Sequence, residues 1–163
     1  MNPRVQAILN FWFEETPPEK RFKKDESFDL LIRNKFLSDY EKASNDELND
    51  WKLNAKSSLA LVILFDQFSR NIFRNDKKAF SQDFKTREIV YNAIDSGFLD
   101  EMSQSEKFFM ILPLIHSEEI KDHEIAYSLL DKHLRDHPGL KDIKKFWEDH
   151  TVAIKKFKRY PHR

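Results

Sequence analysis

Asp66, Gln67, Arg70, Asn71 and Arg74 bring a carboxylate, two guanidinium groups and two amides together at the end of the most apolar stretch of the chain. Leu59 to Phe65 is apolar at every position, so a helix built from it has no water-facing side and must lie inside the protein. At about 100° per residue, the five polar side chains of a continued helix fall within roughly a 140° arc. A buried polar cluster destabilises the fold unless each member is paired, and such breaches of local rules concentrate at functional sites. An Asp66–Arg70 pair at i, i+4 would form a charge-assisted bond, leaving Gln67, Asn71 and Arg74 to orient a ligand or fasten neighbouring backbone. A self-satisfied internal network is the structural alternative.

A second group follows Pro113: His116, Ser117, Glu118, Glu119, Asp122 and His123. Imidazole titrates near working pH, which makes His116 a candidate acid or base, with Asp66 or Glu118 to orient it. His116, Glu119 and His123 at i, i+3 and i+7 would share a helix face adequate for a divalent metal. The spacing is neither the His-Glu-x-x-His of zinc proteases nor the paired Glu-x-x-His of di-iron bundles, and a charged helix start explains it as well. No metal and no cofactor are expected. The third group is the basic tail, Lys155, Lys156, Lys158, Arg159, His162 and Arg163. A solvated tail is its plain reading. Phe157 and Tyr160 would instead anchor it and Pro161 stiffen it, so that Arg159 and His162 are presented in a fixed direction. There is no phosphate-binding glycine loop, nucleophile elbow or cysteine, which leaves seryl and thiol chemistry unsupported.

Helices must position these groups. Gly97 and Gly139 are the only glycines, so tight two-residue hairpins are hard to place. Asn2 can cap a first helix with Pro3 at its first position and Val5, Ile8, Leu9 and Trp12 on one face. A second spans about Asp25 to Ala43, a third about Ala55 to Phe68. Asp83 can cap a fourth, with Gly97 as its left-handed end. Ser103 and Glu106 form a capping box for a fifth, which Pro113 should kink or stop. A sixth restarts at Ser117 and runs to Arg135, and the last covers about Leu140 to Phe157. The expectation is an all-α single domain, residues 1–163, of about seven antiparallel-packed helices.

Composition narrows the function classes. Twenty-eight basic and 28 acidic residues give a net charge of zero, so no whole-molecule field points to nucleic acid or an anionic membrane. Fifteen Phe, three Trp and four Tyr supply one core. Val5 to Phe13 is interrupted by Gln6 and Asn10 and is not a convincing signal peptide, and no run is long enough to span a membrane. A cytoplasmic protein is expected.

The chain resembles the bacterial family known as domain of unknown function 924. The resemblance rests on Leu9-Asn10-Phe11-Trp12-Phe13, Phe28-Asp29, Trp51, Leu59-Ala60-Leu61 and above all Asp66 through Arg74. Ala79-Phe80 with Asp83, Pro113-Leu114 with His116-Ser117-Glu118, His150, and Arg159-Tyr160-Pro161-His162-Arg163 extend it over nearly the whole chain. It implies an all-helical, tetratricopeptide-like fold and no established activity. Two departures stand out. The family pattern has proline where this chain has Ser69, which would break the third helix near Phe68, and it continues beyond the point where this chain stops.

Together these features lead to the expectation of a pocket for a small anionic ligand or acidic peptide end. Arg70, Asn71, Arg74, Arg159 and His162 would bind it, because the arginine fork matches carboxylate and phosphate oxygens. The alternatives are a metal-independent hydrolase of a phosphorylated or carboxylated substrate, with His116, Asp66 and Glu118 as catalytic candidates, and a structural interaction module. Geometry separates them: catalysis needs an imidazole within about 3 Å of its carboxylate, facing an open cavity.

Overall fold

The Asn2 side chain accepts the Arg4 backbone N–H at 2.8 Å and Pro3 takes the first helical position, which starts α1 (Pro3–Leu9). The structure is a computed structural model and describes residues 2–161. α1 runs without a break into a π-helical segment, Asn10–Glu15. The same event recurs where α3 (Ala55–Val62) passes through a π segment, Ile63–Phe68, into α4 (Ser69–Ile72). The other helices are α2 (Glu26–Ser44), α5 (Asp83–Asp95), α6 (Gln104–His116), α7 (Ile120–His133) and α8 (Leu140–Phe157). With α3 and α4 forming one rod, seven helical rods make an all-α single domain with no strand among the described residues.

The α3–α4 rod is central because its sequence leaves no polar side to expose. Every residue from Ser58 to Ser69 is buried, and α1, α2, α5 and α6 all pack on the rod. Phe68 meets the rings of Phe11, Trp12 and Phe36 at 5.9, 5.7 and 4.7 Å, so the two π segments are seated on each other. Burying one such phenyl group contributes about 1.5–3 kcal/mol. α5, α6, α7 and α8 then pack as sequence neighbours. The tetratricopeptide-like pairing that the resemblance implies is not established by this packing, in which four helices share one central rod. No helix among the described residues is long and apolar enough to cross a membrane.

Local signals behave as their chemistry predicts. Val5, Ile8, Leu9 and Trp12 are all buried, the Ser103–Glu106 capping box is formed, and Gly97 has φ +75° just after α5. Four boundaries differ from expectation. α6 continues through Pro113 to His116, because Phe109 to Ile115 are buried at every position and their packing outweighs the one bond that proline cannot make. Ser117 is extended and its hydroxyl accepts the Glu119 N–H at 3.0 Å, so α7 begins at Ile120. The central rod does not break near Phe68; the Ser69 hydroxyl bonds back to the Phe65 carbonyl inside the continuing helix. Asp83 is not a cap either, since Gln82 precedes α5 and the Asp83 carboxylate turns to Arg70.

Candidate functional site

Asp66 and Gln67 lie at the end of the second π segment and line a cavity of about 290 Å³. A π turn spaces side chains differently from an α turn, and such segments are frequent at functional sites. The buried Asp66 carboxylate receives His116 Nδ1 at 2.8 Å and Gln67 Nε2 at 2.9 Å, with Arg70 Nη2 at 3.7 Å. A carboxylate can only accept, so His116 Nδ1 carries the hydrogen and proton exchange by this ring must run through Nε2. Burial pushes the Asp66 carboxyl up, but its neighbours His116 and Arg70 and the bonds from His116 and Gln67 more than offset it. Its pKa lies below the ordinary value, and Asp66 stays ionised.

The arginines are held from behind. Arg70 Nη1 donates to Asp83 Oδ1 at 3.0 Å and to the Phe65 and Ala79 carbonyls, and its guanidinium lies 4.9 Å from the Phe80 ring centre. Its nearest carboxylate is therefore Asp83, not the i, i+4 partner Asp66, because Asp83 presents both oxygens to the planar fork. Arg74 donates to Asp29 through Nε at 2.5 Å and Nη2 at 2.8 Å, and Asn71 Nδ2 adds a third bond at 2.9 Å. Burial pushes the Asp29 carboxyl up, but the bonds from Arg74 and Asn71 and the Arg74 charge hold it below the usual carboxylate range. Arg70, Asn71 and Arg74 all line the cavity. Each is already engaged by a carboxylate of the fold.

The rim comes from three other parts of the chain. Arg21 donates to the Trp12 and Phe13 carbonyls of the first π segment at 3.3 and 3.4 Å, and this seats Phe22 and Lys23 at the cavity. α8 contributes Phe146 and His150, whose ring lies 6.2 Å from that of His116. Tyr160 closes the remaining side; its hydroxyl donates to the Ile115 carbonyl and its backbone N–H to Glu118 Oε2 at 2.6 Å. Glu118 thus fastens the tail and does not orient His116, whose carboxylate is Asp66. Phe157 is exposed, so of the two expected anchors Tyr160 is the one that is buried. Arg159 is exposed and does not line the cavity, because the buried ring of Tyr160 takes the inward direction. His162, the other tail residue expected there, lies outside the described residues. His116, Glu119 and His123 share no face, since the first ends α6, the second precedes α7 and the third is turned into the core.

A family model described as a bacterial protein of unknown function, domain of unknown function 924, matches residues 8–163. The chain belongs to this family. A solved structure of a protein of unknown function from Agrobacterium tumefaciens is similar at a TM-score of 0.85 and 31% identity, covering 98% of this chain and 86% of that one. No curated protein matches the chain. Membership sheds light on what periodicity leaves unplaced. Asp29, Phe80, Asp83, His150 and Tyr160, which back or line the cavity, all stand in the segments that carry the family resemblance. Arg21, Phe22, Lys23 and Phe146 do not; three sit in an aperiodic loop, and Phe146 reads as an ordinary apolar helix position.

Proposed function

We propose that the cavity is a general acid–base site acting, without a metal, on a small anionic ester. The observation that carries this reading is the 2.8 Å bond between His116 Nδ1 and the buried, ionised Asp66 at a cavity wall. Asp66 fixes the ring and stabilises the imidazolium that forms when Nε2 takes a proton from water. The water oxygen bonds to the acyl or phosphoryl centre, the ester bond to the leaving oxygen breaks, and the imidazolium returns its proton to that oxygen. Charge also supports an anionic substrate. Arg21, Lys23, Arg70 and Arg74 all line the cavity, where Asp66 is the one lining carboxylate among the described residues.

The test is turnover of p-nitrophenyl phosphate and of the mono-p-nitrophenyl ester of succinate, both anionic, in the presence of a chelator. His116→Gln should lower the rate by about 10²- to 10⁴-fold while circular dichroism stays helical. Equal turnover by wild type and His116→Gln would defeat the reading. A cavity that binds small anions without chemistry is the second reading, favoured by the four cations that line it; it predicts ligand-induced stabilisation that Lys23→Ala removes.

A further inference from the structure

Two aromatic rings at the cavity are more exposed than core aromatics: Phe22 is 63% and Phe146 is 41% exposed. They belong to different elements, the loop after the first π segment and α8, yet their ring centres are 6.5 Å apart. Neither is loose. Phe22 stacks on buried Phe109 at 6.0 Å and 16°, with Arg21 pinned to backbone carbonyls beside it, and Phe146 stands 4.3 Å from the His150 ring on a regular helix. Lys23 follows Phe22 directly and lines the same cavity. The volume, about 290 Å³, is at the lower end of the range for ligand pockets and suits one small molecule.

We infer that the ligand of this cavity is a small acid carrying a flat apolar group, its ring held by Phe22 and Phe146 and its anionic group set beside Lys23. The inference rests on the cavity proposed above for acid–base chemistry and adds the kind of group that its anion carries. Water leaves two preformed aromatic faces when a planar group covers them, and offset or edge-on ring contacts add to that gain. A rim built in this way selects for the tail of the acid, while the cations that line the cavity select for its anionic group.

The test measures binding and needs no turnover, so it can fail while the acid–base reading stands, or succeed while that reading fails. Dissociation constants are measured by calorimetry for two pairs, benzoate against acetate and phenylphosphonate against methylphosphonate, which also separates carboxylate from phosphoryl recognition. In at least one pair the aryl acid should bind about tenfold or more tightly than its methyl partner. Phe22→Ser and Phe146→Ser, both at exposed positions, should each bring that ratio close to one. Lys23→Ala should weaken both members of the pair alike and leave the ratio in place. Equal affinities within both pairs, no binding of either aryl acid, or a ratio that survives both phenylalanine replacements would overturn the inference.

Discussion

His116 and Ser117, consecutive in the chain, belong to two buried polar networks with different access to water. His116 ends α6 against Asp66 and lines a cavity. Ser117 turns the other way. Its hydroxyl donates to Asp122 Oδ2 at 2.6 Å, Tyr91 donates to the other oxygen, and its carbonyl accepts His123 Nε2 at 2.7 Å. His123 Nδ1 meets the Thr151 hydroxyl at 2.8 Å. This second network ties α5, α6, α7 and α8 together, and Ser117 and His123 are fully buried within it. Both networks are satisfied and both surround an Asp, so polarity in the interior does not by itself mark a site. What distinguishes the first is that its Asp–His pair itself lines a cavity with a charged, aromatic rim, whereas Asp122 and His123 line none of the cavities among the described residues.

The largest expected effect tests whether the open network is also structural. Asp66→Ala removes the acceptor of His116 and Gln67 and a counter-charge of Arg70, and should destabilise the fold by roughly 3 kcal/mol or more in urea titration. A loss below about 0.5 kcal/mol would make Asp66 equivalent to a surface residue and erase the contrast. In the closed network, Asp122→Ala leaves Ser117 and Tyr91 without their acceptor and should destabilise by about 1–3 kcal/mol. It should leave the affinity for small acids unchanged; weakened binding would show that the two networks act as one.

The closed network should also show in the pH dependence of stability. Burial lowers the His123 pKa, and the bond to the Ser117 carbonyl and the charge of Asp122 do not restore it. The unfolded chain therefore takes up the proton first. This contribution is complete above the unfolded value near 6.5, and it is lost as pH falls through the lower folded value, with a slope of at most about 1.4 kcal/mol per pH unit. Urea midpoints between about pH 7 and 5 should fall more steeply for wild type than for His123→Gln. Parallel curves would mean that the folded protein protonates His123 freely.

Smaller effects locate the boundary between the networks. Tyr160→Phe deletes the donor to the Ile115 carbonyl and should destabilise by about 0.5–1.5 kcal/mol, read as a lowered melting temperature. At the exposed rim, Lys23→Ala should change stability by no more than about 0.5 kcal/mol while weakening acid binding. A stability loss comparable to that of Asp66→Ala would turn the rim into part of the core.

Helices were legible because their signals are local. The Asn2–Pro3 start, the Ser103–Glu106 box, Gly97 and the spacing of Val5, Ile8, Leu9 and Trp12 need no distant partner to be read. The apolar run of Leu59 to Phe65 likewise dictated a buried central rod, and with it the burial of Asp66. Partner choice lay beyond such signals. Arg70 had an i, i+4 carboxylate in sequence, yet Asp83 lies closer, and Arg74 reaches back across the bundle to Asp29. Which carboxylate an arginine takes depends on where helices cross, and that is fixed by packing of whole faces rather than by spacing along one of them. For the same reason Arg159 could be read as a site residue and lies outside the cavity, while Phe22 and Phe146, unremarkable in the sequence, meet at its rim. The sequence by itself determined seven helices, the starts at Asn2 and Ser103 and a buried acidic residue; only the tertiary structure decided that His116 would find Asp66 while Ser117 beside it would be sealed away.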